Sequence, residues 1–325
     1  MTSARAAHTA SVLTNGKVLV AGGFEASGNA NTAELYDSTT GLWSKTGNMS
    51  TWRIYHTASL LNNGKILVAA GYYSSSYLNT AELYDSTTGL WAKTGNMSTE
   101  RTYHTASLLN NEKVLVAGGF DSSEYFNTAE LYDPSTELWT KTSNMSIGRY
   151  FHTATRLNNG KVLVAGGYSY DGYSNTAELY DPLTGIWTRT GNMSIERSYH
   201  TASLLNNGQV LVAGGYDYNG YSSNAELYDP STELWTKTGS MNIGRTSHTA
   251  SLLNNGEVLV TGGYVSNGYW NTAELYDSLT GVWTYTTSLS TGRSFHTASV
   301  LTNGKVLVAG GYDNRNVLNR AELYV

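Results

Sequence analysis

Seven histidines stand at intervals of 48 residues: His8, His56, His104, His152, His200, His248 and His296. Each is followed by Thr-Ala. Each is preceded three residues earlier by Arg: Arg5, Arg53, Arg101, Arg149, Arg197, Arg245 and Arg293. A fixed period of this length means that one supersecondary unit recurs. Residues 1–325 therefore read as a single domain of seven repeats rather than a string of unrelated ones.

Within a unit the apolar pattern has period two, which points to strands. In the second unit, His56–Leu61 is the first run (strand a) and Lys65–Ala69 the second (strand b), with Asn63-Gly64 between them. An Asn-Gly pair between two apolar runs predicts a hairpin turn with both residues at positive φ. The pair recurs in every unit except the third, which has Asn111-Glu112. Strand b ends in Gly-Gly, or in Ala70-Gly71 in the second unit. A variable loop leads to Ala-Glu-Leu-Tyr (strand c), then a turn opened by Asp. All three prolines, Pro134, Pro182 and Pro230, follow that Asp, where a fixed φ suits a type I turn. Strand d carries Trp43, Trp91, Trp139, Trp187, Trp235 and Trp283. No segment has helical periodicity.

Four short antiparallel strands per repeat describe a propeller blade. The Arg-x-x-His-Thr-Ala strand, the apolar strand ending in Gly-Gly, and the spaced Tyr and Trp resemble the kelch repeat over nearly the whole chain. The resemblance implies an all-β, seven-bladed β-propeller of kelch type, with strand a innermost and strand d outermost. It also implies that the d–a and b–c loops share the face where ligands usually bind. The last unit stops at Val325, before any strand d, so the last blade should be three-stranded, with Ala321–Val325 as an open edge. Closure must then rest on packing of the first blade against the seventh. The nearness of the end to a unit boundary favours a fragment of a longer chain. Appending a strand copied from Asp277–Thr287 should raise the melting temperature; no gain would make three strands the natural end.

A residue present in all seven units is required by the blade. The histidines cannot all converge on a metal, whose His ligands lie at about 2.0–2.1 Å; they read as packed side chains bonded to neighbouring backbone. The seven arginines match in number the seven Glu of Ala-Glu-Leu-Tyr and read as buried ion pairs, including pairs between neighbouring blades. The strand c Tyr and strand d Trp read as core. Asn48, Asn96, Asn144 and Asn192 each open Asn-Met-Ser. This pattern fits either a turn in the d–a loop or an N-glycosylation acceptor. Arg156 stands where the other units have Val or Leu, and it reads as reaching either into the channel or out to solvent.

The candidate site lies where the blades differ. The b–c loops are rich in Tyr, Ser, Gly and Asn, the composition of binding loops. They contribute Tyr73, Tyr77, Tyr125, Tyr173, Tyr221, Tyr269 and Trp270. The pair between each repeat Arg and His also varies, and in the kelch arrangement it stands at the channel mouth. This adds Tyr55, Tyr103, Tyr150 and Tyr199 as ligand-binding residues, with Tyr55, Tyr103 and Tyr199 at the loop edge.

Composition narrows the function. The chain has 14% charged residues, a net charge of −5 and no Cys. The acidic balance argues against nucleic acid. No apolar run approaches a membrane span, and Met1-Thr2-Ser3-Ala4-Arg5 is not a signal peptide, which leaves the compartment open. Among kelch-type enzymes, galactose-oxidase-like copper enzymes need a Tyr cross-linked to Cys. Thiocyanate-forming-type proteins are associated with Glu-x3-Asp-x3-His, and no His here has Asp four residues before it. General acid–base work needs singular convergent groups. The non-repeated candidates, among them Glu25, Asp121, Asp217 and Asp313, show no pairing in the sequence. The reading is a non-catalytic binding module for a protein, peptide or glycan, with no cofactor and no metal site. The alternative is a sialate-mutarotase-like enzyme acting on a sugar at the channel mouth.

Overall fold

Short apolar runs broken by turns can bury both faces only if they stack as sheets. The computed structural model describes residues 1–25 and 28–324, and none of these is helical. Blade 1 consists of strands a (Thr9–Val12), b (Val18–Ala21), c (Ala33–Asp37) and d (Leu42–Lys45), antiparallel and paired in that order. Blades 2 to 6 repeat this arrangement. Blade 7 has three strands, Thr297–Val300, Val306–Ala309 and Ala321–Tyr324. Each strand a touches the strand a of both neighbours, and blade 1 meets blade 7, so the ring closes with strand a innermost.

The core is a ring of layers between blades. Val-Leu-Val-Ala of strand b is buried on both faces, as a strand sandwiched between neighbours must be. One layer joins Leu109, Leu115 and Met145 to Val162, Val164 and Tyr180 of blade 4. The strand c Tyr is fully buried there, with its hydroxyl 2.9 Å from Thr142 Oγ1. The strand d Trp is less buried than the sequence implies: Trp187 and Trp283 are buried, the others half-buried. Trp139 packs on Tyr132 at 5.1 Å and donates Nε1–H to Gly95 O of the preceding blade.

The Asn-Gly turns differ from the sequence expectation. Only the second residue has positive φ, as at Gly16 (78°) and Gly64 (80°). The loop is longer than two residues: Leu13 N–H bonds Lys17 O, and Gly16 N–H bonds Leu13 O. This is a type I turn followed by a left-handed residue. The Asn instead accepts a hydrogen bond from the backbone two residues on, as Asn15 does from Lys17 N–H. Glu112 adopts the same left-handed geometry at φ 67°.

Each repeat Arg pairs within its own blade, not with its neighbour. Arg149 has no exposure and lies 3.0 Å from Glu178 Oε1. It also donates to the carbonyls of Gly166 and Thr176 and to Thr176 Oγ1. The link to the neighbour runs through its backbone: Gly119 N–H bonds Arg149 O, and Arg149 N–H bonds Phe126 O. The histidines also differ from expectation. Each Nε2 shares a hydrogen bond with a Thr hydroxyl of the preceding blade, as in His56–Thr9 (3.0 Å) and His152–Thr105 (2.9 Å). The pair His8–Thr297 continues this ring across the seam. Closure therefore rests on hydrogen bonds as well as packing, including Gly311 N–H to Arg5 O and Ala7 N–H to Phe295 O.

Arg156 ends strand a of blade 4 and is exposed, so its reach is toward solvent. The Asn of the four Asn-Met-Ser sites is exposed on the d–a loop and, among the described residues, its side chain makes no hydrogen bond. A buried Met and a Ser N–H bonded to the strand c Glu hold that loop, which replaces the turn role expected for Asn.

Candidate functional site

The b–c loops are not irregular. In blades 4, 5 and 6 each folds into a small antiparallel ribbon: Tyr168–Ser169 with Gly172–Tyr173, Tyr216–Asp217 with Gly220–Tyr221, and Tyr264–Val265 with Gly268–Tyr269. In blade 2 strands b and c run on through a bulge at Ala69/Gly71. The residue two before the repeat His bridges to the first ribbon residue, as Thr246 does to Tyr264. Paired backbone thus holds the loop side chains in fixed positions.

Ribbon pairing sets the aromatic residue after the Gly pair opposite a second one. Tyr72 meets Tyr77, Tyr168 meets Tyr173, Tyr216 meets Tyr221 and Tyr264 meets Tyr269, with centroids 5.0–5.2 Å apart. Each second ring then meets the first ring of the next blade, as in Tyr173–Tyr216 (5.7 Å) and Tyr221–Tyr264 (5.8 Å). An unbroken arc of rings, mostly edge to face, runs from Tyr72 through Phe120 and Tyr125 to Tyr269 and Tyr312. The candidates Tyr77, Tyr125, Tyr173, Tyr221 and Tyr269 all belong to it. The sequence reading missed their partners Tyr72, Phe120, Tyr168, Tyr216, Tyr264 and Tyr312. Their signal was an aromatic residue directly after strand b's last Gly in every unit, Phe24 included.

A second set of rings caps the channel. Tyr55 meets Tyr103 at 4.3 Å, Tyr103 meets Phe151 at 4.2 Å, and Phe151 stacks on Tyr199 at 3.6 Å. Tyr55, Tyr103 and Tyr199 are therefore not free loop-edge groups; they pack in a plug with Phe151. Burial pushes the phenols of Tyr103 and Tyr199 far above their ordinary range. The backbone here is left-handed, with φ near 53° at Tyr55, Tyr103 and Tyr199, a conformation unfavourable for bulky residues. It turns N–H groups along the ring toward the preceding blade, as in Tyr199 N–H to Phe151 O. Tyr150 joins plug and arc, touching Phe151, Phe120 and Tyr125. Tyr73 and Trp270 lie outside both sets: Tyr73 stacks on Trp52, and Trp270 Nε1–H donates to Asn267 Oδ1.

The plug is lopsided because Ala7 and Ser247 occupy its positions in blades 1 and 6. Between its open side and the arc lies a cleft of about 370 Å³. Tyr173, Tyr216, Tyr221, Tyr264 and Tyr269 wall it on one side and Tyr199 and Phe295 on the other, with Thr246, Ser247 and Ser294 between. Burial first, and neighbouring tyrosines second, raise the phenol pKa of Tyr173, Tyr221 and Tyr269, so these remain neutral donors near pH 7. Ser294 is fully buried, and its Oγ has no partner among the described residues. A larger depression of about 530 Å³ on the opposite face is lined by Asn158, Asn207, Asp229 and their neighbours. Those are turn residues that recur from blade to blade, so we place the site at the aromatic cleft.

The non-repeated acids do local work. Asp121 and Asp313 each accept two backbone N–H groups of their own loop, and Asp217 accepts one. Glu25 accepts the Thr32 hydroxyl.

A closed ring of six four-stranded units and one three-stranded unit, with an aromatic loop face, defines a β-propeller. The family model described as the KLHDC2/KLHL20/DRC7 Kelch-repeats domain matches residues 1–148, 94–241 and 151–325, and the chain belongs to this kelch-repeat family. No curated protein matches the sequence. Among solved structures it resembles one described as a novel fungal alcohol oxidase of the AA5 family in complex with copper. The TM-score is 0.80 at 22% identity, over 96% of this chain and 71% of that one. This likeness is one of fold. The residues here do not fit a copper centre with a Cys-linked Tyr, because the chain has no Cys. Among the described residues, no three His, Cys, Asp or Glu side chains converge to hold a metal.

Proposed function

We propose that this protein is a non-catalytic binding module that takes an extended peptide segment of a partner protein on its aromatic loop face. The observation that carries this reading is the cleft between plug and arc, which tyrosine rings line together with Thr246 and the partly exposed Ser247. Tyrosines held on paired ribbons offer broad apolar contact with little entropy left to lose. Hydroxyls at the base suit the backbone amides of a peptide. Family membership favours a protein partner over a glycan. The edge-to-face rings also offer few flat platforms of the kind a sugar ring stacks on.

Replacing Tyr221 and Tyr264 together with Ala should abolish binding of any peptide selected on the wild-type protein. Their loss removes two walls of the cleft without touching the plug, so the melting temperature should change little. A parallel screen on peptide and glycan arrays tests the ligand class. Glycan binding without peptide binding, or peptide binding that survives the double change, would overturn the reading.

A further inference from the structure

The charges on the loop face are unevenly placed. Of the 20 Lys and Arg residues, the seven repeat arginines are buried. The a–b turn lysines and Arg156 face the opposite side, and the rest, apart from two, lie on the outermost strands at the rim. Only Arg315 and Arg320 occupy b–c loops, and both belong to blade 7. The other b–c loops carry only acidic charges: Glu25, Asp121, Glu124, Asp171 and Asp217.

Arg315 and Arg320 are exposed, and among the described residues neither forms an ion pair. Of the acids nearest in sequence, Asp313 is committed to the N–H groups of Arg315 and Asn316, and Glu322 to Arg293 and Ser290 N–H. Arg320 donates to Thr291 Oγ1. Arg315, Thr291 and Tyr269 line a pocket of about 260 Å³ together with Asp313, Asn314 and Gly292, and Arg320 stands beside it on Thr291. Tyr269 is also a wall of the aromatic cleft, so the two spaces adjoin.

Building on the peptide reading above, we infer that the ligand carries an acidic side chain, and that this carboxylate seats at Arg315 and Arg320 while neighbouring apolar residues lie along Tyr269, Tyr264 and Tyr221. On a face that otherwise repels anions, a carboxylate has one favourable place to go. That fixes the direction in which the peptide crosses the cleft, and it steers encounter more than it tightens the final complex. A guanidinium is suited to the task because its fork matches a carboxylate.

The test uses a positional-scanning library of labelled peptides of about ten residues, acetylated and amidated so that only side chains carry charge. Against the 325-residue chain, Asp and Glu should be enriched at one position. Changing that residue to Gln, or the protein by Arg315→Glu, should weaken binding roughly tenfold, and added salt should erase the difference. Arg315→Glu should prefer the peptide with Lys at that position. Lys161→Glu, on the opposite face, should change nothing, and circular dichroism should show every variant folded. If acidic and neutral peptides bind alike, or if Arg315→Glu keeps the acidic preference, the inference fails. In that case loss of binding in the Tyr221→Ala, Tyr264→Ala protein would still uphold the peptide reading. If no peptide binds the wild-type chain, both fail.

Discussion

Acidification is expected to unfold this protein cooperatively between about pH 6 and pH 5, above the range where carboxylates titrate. All seven histidines are 6% exposed. Burial first, and for each of them the nearby repeat Arg second, drive their pKa down. For His56, His152, His248 and His296 it falls to about 3, and His8, His104 and His200 shift the same way. The unfolded chain protonates them near about 6.5. A folded-state pKa below the unfolded one means stability that is whole above about pH 6.5 and lost progressively as pH falls toward the folded values. Each His then removes about 1.4 kcal/mol per pH unit, and seven together roughly 10 kcal/mol per unit. A typical stability of about 5–15 kcal/mol is then exhausted between about half a unit and one and a half units down. Asp37 and Asp133, held at about 2 chiefly by the hydroxyls of Thr39 and Ser135, lose their stabilising form only at lower pH. Tryptophan fluorescence against pH should give the midpoint, and potentiometry should show uptake of about seven protons. His152→Gln should lower that uptake by one. A chain still folded at about pH 4 would refute the neutral, buried histidine ring.

The repeated positions were legible because each blade makes the same demand. Seven Arg and seven Glu implied buried pairs. What the sequence could not convey was their direction, since a 48-residue period leaves same-blade and next-blade pairing equally spaced. The arc was half visible. Searching the loops for residues that differ between blades found Tyr173 and Tyr221. It passed over Tyr216 and Tyr264, which sit at a repeated position and look like scaffold. The cleft itself exists because Ser247 is small among Tyr103, Phe151 and Tyr199. An absence of bulk takes meaning only when the ring places those residues side by side. The plug was misjudged for a related reason: seven short loops that each look exposed become a packed cluster once they converge on one axis.

The Arg–Glu pairs give the second large effect, and they allow a comparison within one molecule. Arg149→Met removes a fully buried guanidinium and leaves Glu178, 2% exposed, without its cation. It also strips donors from Gly166 O and from both oxygens of Thr176. Breaking a buried pair from one side costs about 3–5 kcal/mol, because the remaining charge stays desolvated. Arg293→Met makes the same change in blade 7. There the partner Glu322 is 23% exposed, because no strand d covers strand c among the described residues. Water can solvate the orphaned carboxylate, so the loss should be smaller by a kcal/mol or more, about the value of desolvating one polar group. Urea unfolding of the two variants of the 325-residue chain measures the difference directly. Equal losses would mean that the two carbonyl bonds of the Arg, which both blades share, carry the stabilisation and that the ion pair adds little. A larger loss at Arg293 would instead place the weakest point of the ring at the seam, where blade 7 meets blade 1 through Gly311 N–H to Arg5 O and the His8–Thr297 bond.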